Sequence, residues 1–157
     1  MTVWRLSSAR YAATVFSGEG AKHYGGRWSP PGLAVIYCAE SRSLALVEVL
    51  AGIDDVERLF GQEWVLVPAD LPEEGLEKPA HVPDDWRKYP HSPATQAFGA
   101  EWVQNQRSVA LRVPSVVVPG EFNYLLNPAH PDFKRVKAGK PEAFSFDPRL
   151  QRGAHRR

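Results

Sequence analysis

The chain has 157 residues, 43% of them hydrophobic and 24% charged, which suits one soluble domain with a core of its own. A formal net charge of +1 excludes the strong overall field expected of a protein that binds nucleic acid or a membrane surface by itself. The single cysteine, Cys38, excludes an internal disulfide framework, and MTVWRLSSARYAA at the N-terminus has no signal-peptide core, so a reducing, cytoplasmic location is expected.

In chain order, TVWRL reads as a first strand anchored by Val3 and Trp4. Residues 7–26 are polar and glycine-bearing and read as an irregular, exposed segment. After the turn signal SPPG, the apolar run LAVIYCA at 33–39 predicts a buried central strand. SRSLALVEVLAG at 41–52 predicts a helix, with Ser41 as its cap and Gly52 closing its end. EWVLVPADL is the next strand, expected to stop at Pro68, and 69–93 is a loop region around Trp86 and Tyr89.

SPATQAFGAEWVQNQ predicts a second helix capped by Ser92 with Pro93 at its first position. Its expected inner face is Ala94, Ala97, Phe98, Glu101 and Trp102. SVALRVPSVVVP reads as two strand halves broken at Pro114, FNYLLNPAHPDF as a short helical or looped piece, and KRVKAG and EAFSFDPRL as closing strands. The fold class is α+β, one compact domain with more strands than helices. Domain boundaries are set at 1–150, followed by a short basic tail at 151–157.

Several familiar constellations are missing. SGEGAKHYGG lacks the Gly-Lys-Ser/Thr of a phosphate-binding loop, and His23 stands where a dinucleotide fingerprint needs its third glycine. The five histidines show no metal-ligand spacing, so no metal is expected. Cys38 lies inside an apolar strand and reads as core rather than nucleophile.

Four positions stand out instead. Arg27 follows two glycines in KHYGGRW: either a tight turn with a surface arginine, or a guanidinium fork presented to phosphate or carboxylate. Glu48 projects from the apolar stripe of the 41–52 helix, where an ionised carboxylate needs a partner. Tyr37 is either a core tyrosine or a platform for a planar ligand. Ser115, behind a proline break, either faces a cleft or fills a bulge. NYLLNPAHP holds Asn123, Tyr124, Asn127 and His130, and its Asn-Pro and His-Pro pairs read first as turn chemistry. Arginine, tyrosine, glutamate and serine together suit an anionic ligand with a planar ring and a reaction that builds positive charge near a carboxylate. Cleavage of an N-glycosidic bond in a nucleotide is such a reaction.

The segments SGEGAKHYGGRWSPPGLAVIYCAESRSLALVEVL, LRVPSVVVPGEFNYLLNPAHPDF and FSFDPRL together resemble the RES domain, named for an arginine, a glutamate and a serine, over about Trp4 to about Leu150. The resemblance implies a fold like the ADP-ribosyltransferase toxins, with twisted, mostly antiparallel sheets and a few flanking helices. It implies the toxin half of a bacterial type II toxin–antitoxin pair. The partner would be an Xre-like helix-turn-helix antitoxin, through which DNA is reached only indirectly. The implied substrate is NAD+, consumed by hydrolysis, by phosphorolysis or by transfer of ADP-ribose to a protein, with no further cofactor. By motif, the arginine falls on Arg27, the tyrosine on Tyr37, the glutamate on Glu48 and the serine on Ser115, with Ser41 competing for the hydroxyl role. Asn127 and the first-strand Arg5 are added as substrate-binding candidates. In that arrangement Arg27 holds the pyrophosphate, Tyr37 packs on nicotinamide, Glu48 binds the ribose and stabilises the oxocarbenium ion, and Ser115 orients Glu48 or the amide. The competing class is a non-catalytic module that binds the antitoxin and helps regulate its operon.

Overall fold

The computed structural model describes residues 1–153; of the tail read at 151–157, residues 154–157 lie outside the described residues. Eight strands form one sheet, in the order β4-β5-β6-β2-β1-β3-β7 with β8 beside β3. The strands are β1 Thr2–Ser8, β2 Ile36–Ala39, β3 Trp64–Asp70, β4 Leu76–Glu77, β5 Ala110–Pro114, β6 Phe122–Leu126, β7 Lys137–Ala138 and β8 Glu142–Phe144. Every pairing is antiparallel except β4 with β5. The helices are α1 Glu19–Tyr24, α2 Arg42–Gly52, α3 Glu57–Phe60 and α4 Pro93–Gln104. This is the α+β domain expected, with few helices around a mostly antiparallel sheet.

Alternation along the strands sorts the core onto two faces. Val3, Ile36, Cys38, Tyr124 and Leu126 pack on one. On the other, Leu6 and Ala39 pack with Leu44 and Ala45 of α2, while Leu111, Val113 and Leu125 pack with Trp102 and Val103 of α4. Cross-strand register puts Tyr37 opposite Leu125 and Ala39 opposite Asn123, so Tyr37 and Asn123 share the second face.

Both expected helix caps are present. Ser41 Oγ accepts from the Leu44 N–H at 3.0 Å, and Ser92 Oγ accepts from the Ala94 N–H at 3.2 Å. Gly52 is still helical, and α2 ends on the extended Ile53. The buried face of α4 is Thr95, Gly99, Trp102 and Val103; of the expected face only Trp102 is buried, while Ala94, Ala97 and Glu101 are exposed and Phe98 is half-buried. The small Gly99 sets this face, because it lets α4 close onto the Trp28 backbone.

Four segments differ from the sequence reading. The stretch 7–26 is largely ordered, with β1 running to Ser8, a 3-10 segment at Ala9–Thr14, and α1. β3 continues through Pro68, whose carbonyl accepts from Gly139 N. In a strand a residue's N–H and C=O point the same way, so the missing N–H faces the gap between β8 and β7 and costs no ladder bond. SVVVP is a bend rather than a second strand half, closed by Val118 N donating to Ser115 Oγ at 3.1 Å. FNYLL is β6, a mid-sheet strand paired with both β2 and β5. The adjoining NPAHP is the turn chemistry expected of it, but it begins only after Leu126.

Candidate active site

A cleft of about 690 Å3 opens on the second face of the sheet. Its walls come from α1, the loop at 25–28, the C-terminal half of α2, the strap at 87–91 and the β5–β6 turn. A smaller recess of about 180 Å3 adjoins it and shares Arg5, Tyr37, Glu48 and Asn123.

Glu48 sits on the α2 face turned towards this cleft. Ser115 Oγ donates to its Oε1 at 2.7 Å, and Asn123 Nδ2 donates to the same oxygen at 2.7 Å. The partner that a carboxylate on an apolar stripe requires is therefore a pair of neutral donors from β6 and the bend after β5. Ser115 is buried because its hydroxyl closes that bend while its proton goes to Glu48.

Tyr37 lies in β2 with its hydroxyl engaged. It accepts from Trp28 N at 3.2 Å and shares a 2.8 Å bond with Ser29 Oγ. Burial pushes this phenol up to about 12, partly offset by the Ser29 and Trp28 hydrogen bonds and by Arg27, so it stays neutral. What Tyr37 offers the cleft is its ring. Gly26 explains the glycine before Arg27: a Cβ there would stand 2.6 Å from the Tyr37 hydroxyl oxygen.

Arg27 Nη1 donates to the carbonyls of Trp86 and Lys88 at 2.7 and 2.8 Å. These bonds tie the strap to the rim of the cleft. Desolvation pulls the guanidinium pKa down, offset by the fields of Glu48 and Tyr37. Arg5 is the more deeply buried cation. Its Nη1 donates to the Tyr37 carbonyl at 2.8 Å, beyond the one register pair shared by β1 and β2, Trp4 with Ala39. Its buried Nε has no partner, and burial depresses its pKa, with a smaller opposing effect from Cys38. Among the described residues neither arginine forms an ion pair with a carboxylate. Two guanidinium groups without ion-pair partners in one cleft make it receptive to an anion.

The structure thus brings together Arg5, Arg27, Tyr37, Glu48 and Ser115. It leaves two candidates outside. Ser41 Oγ caps α2, and Ser41 does not line the cleft. Asn127 is fully buried, with Nδ2 donating to the Val103 carbonyl at 3.3 Å and Oδ1 accepting from Ala129 N at 3.0 Å, so it holds the turn after β6. Sequence reasoning noted Asn123 only within a segment read as turn chemistry and left it out of the site, because FNYLL was not read as a strand; its aromatic and leucine content was the available signal. It also missed His91 on the strap, whose Nδ1 is buried without a partner. Cys38 is buried, and burial drives its thiol up to about 12, which leaves it inert. No group of three or more His, Cys, Asp or Glu side chains gathers among the described residues, and no described helix is long and apolar enough to cross a membrane.

Fold and cleft define a single α+β domain with a clamped carboxylate, a tyrosine ring and two guanidinium groups without ion-pair partners in one cleft. The chain belongs to the RES domain family, whose pattern matches residues 2–147. A protein from Sphingobium sp. (strain YBL2) named Prs ADP-ribosylating toxin is 40% identical over 96% of this chain and 97% of its own. A protein from Yersinia enterocolitica named Toxin Res is 40% identical over 96% of this chain and all of its own length. The crystal structure of the Mycobacterium tuberculosis MbcT–MbcA toxin–antitoxin complex contains a chain of the same fold, with a TM-score of 0.74 at 21% identity, covering 92% of this chain and 84% of that one. By sequence, the M. tuberculosis protein named NAD(+) phosphorylase MbcT matches 29% of this chain at 44% identity.

Proposed function

We propose that this chain is the toxin of a toxin–antitoxin pair and that it cleaves the bond between nicotinamide and ribose in NAD+. The observation that carries the reading is the position of Glu48: a carboxylate held from behind by two donors, in a cleft with a tyrosine ring and two unpaired guanidinium groups. The ligand's diphosphate would meet Arg27 and Arg5. Nicotinamide would pack on the Tyr37 ring, and Glu48 would face the ribose.

As the C1′–N bond breaks, its electron pair leaves with nicotinamide, which becomes neutral, and positive charge builds on C1′ and the ring oxygen. The Glu48 carboxylate stabilises that charge. An acceptor oxygen then bonds to C1′ from the opposite face and loses its proton. With water or phosphate as acceptor, the cell's NAD+ is depleted and growth stops. The partner would be an Xre-like antitoxin, with DNA reached through it, in the cytosol, and NAD+ is substrate rather than a resident cofactor.

A second reading, transfer of ADP-ribose to a host protein, is favoured by the relative named for ADP-ribosylation, which matches nearly the whole chain. The test is release of nicotinamide from NAD+ by the purified protein, with and without phosphate, alongside Glu48→Gln. Wild type should release it, and Glu48→Gln should be slower by roughly 100-fold or more. The sugar product names the acceptor. Release only when cell lysate is added, with label from NAD+ entering protein, supports the second reading. No release and no labelling under any condition would leave a non-catalytic antitoxin-binding module.

A further inference from the structure

We propose that Asn123 is a positioning residue for catalysis: with Ser115 it clamps one oxygen of Glu48 and leaves the other for the substrate. The inference rests on the reading of Glu48 as the residue that meets the ribose.

The geometry is asymmetric. Both donors, Ser115 Oγ and Asn123 Nδ2, converge on Oε1, each at 2.7 Å, and Oε2 receives no hydrogen bond from the protein among the described residues. A glutamate has three side-chain torsions, and a single hydrogen bond leaves the carboxylate free to swing about it. Two donors from different directions remove that freedom and fix which oxygen faces the ligand.

The two donors also stand on different supports. Ser115 lies on the bend after β5, where its hydroxyl accepts from Val118 N. Asn123 lies on β6 between two neighbouring strands, in register with Ala39 on one side and Val113 on the other. A donor on a mid-sheet strand cannot follow the carboxylate if α2 shifts. Asn123 therefore references Glu48 to the sheet, which also carries Tyr37 on the same face two residues from Ala39. Carboxylate and ring are held by one rigid frame.

The chemistry of the clamp fits its task. Both donors are neutral, so they orient the carboxylate without cancelling the negative charge needed opposite a developing cation. A lysine or arginine in the place of Asn123 would hold Glu48 as firmly and quench it.

The test is Asn123→Leu, which keeps the branched outline of the side chain at a larger volume and deletes the donor, beside Asn123→Asp, which keeps the shape and sets a second carboxylate against Glu48. Nicotinamide release, NAD+ affinity by calorimetry and thermal melting are measured on each. The leucine variant should lose roughly 10- to 100-fold in kcat, the scale of a slightly misplaced catalytic group. NAD+ affinity should stay within about threefold, since the ligand's diphosphate and ring are held elsewhere. The aspartate variant should lose at least as much. Crystals of Asn123→Leu should show Glu48 in more than one rotamer.

A leucine variant with wild-type kcat, or one whose loss follows a collapse in melting temperature or in NAD+ affinity, overturns the proposal. If the wild type itself leaves NAD+ intact, it is the proposed function that fails. The rotamer of Glu48 in the variant crystals still decides the clamp, and a single unchanged rotamer refutes it.

Discussion

His91 shows how the cleft alters a single side chain. It stands on the strap, its Nδ1 is buried without a partner, and it feels the field of Arg27. Desolvation, then that like charge, lowers its pKa below the ordinary value. A histidine depressed in the fold binds its proton more readily when unfolded, so acid favours the unfolded chain. The cost is absent well above the ordinary histidine range and grows as pH falls through it. His91→Gln should therefore lose less melting temperature than wild type between about pH 7.5 and about pH 5.5. Melting curves across that range check this, and parallel curves for the two proteins would exclude it. Arg27 is a related case. Its bonds to the Trp86 and Lys88 carbonyls and its partial desolvation hold an ionised group at the cleft rim, where a guanidinium fork can meet phosphate.

At the scale of elements, helix caps were legible, and strand continuity and the inner face of α4 were not. Ser41, Ser92 and Pro93 carry local signals, because a cap is decided by the residues within one turn of it. β6 was hidden because Asn-Pro and His-Pro immediately follow it, and turn chemistry in a neighbour says nothing about the strand before it. The run through Pro68 was hidden for another reason: the tolerance depends on which strands flank it, a property of the assembled sheet. The inner face of α4 follows the same logic. Residue hydrophobicity favoured Ala94 and Ala97, but the helix approaches closely at Gly99, where an added Cβ would collide with the Trp28 carbonyl. That backbone leads directly from Arg27, and the Gln96 side chain donates to the Gly26 carbonyl at 3.0 Å. Gly99→Ala should therefore cost about 1–3 kcal/mol by overpacking, against a small gain in helix propensity. It should also raise KM for NAD+ by displacing Arg27. Denaturant unfolding and steady-state kinetics test both, and a variant as stable as wild type would show that α4 is free to shift.

Across the whole molecule, the candidate residues come from segments far apart in the chain: Arg5 from β1, Arg27 from the loop after α1, Tyr37 from β2, Glu48 from α2, Ser115 and Asn123 from the β5–β6 region. Sequence could name most of this set one by one, but only the sheet order, with β6 beside β2 and β2 beside β1, makes it a site. The near-neutral net charge conceals the same organisation, because two guanidinium groups without ion-pair partners stand in one cleft together with the Glu48 carboxylate. A ligand that meets both arginines and Tyr37 ties the loop after α1 and β2 to the first strand, and the strap comes with Arg27. Binding should then stabilise the domain as a unit. Glu48→Gln allows this to be measured without turnover. At about a hundred times its Kd, NAD+ should add about 2.7 kcal/mol to stability by mass action. For a domain of this size that corresponds to a rise in melting temperature of about 5–11 °C. Arg5→Met should abolish most of the rise, since it removes the cation at the base of the cleft. An unshifted melting curve for Glu48→Gln at millimolar NAD+, in a protein that binds its antitoxin normally, would mean that the cleft does not take this dinucleotide.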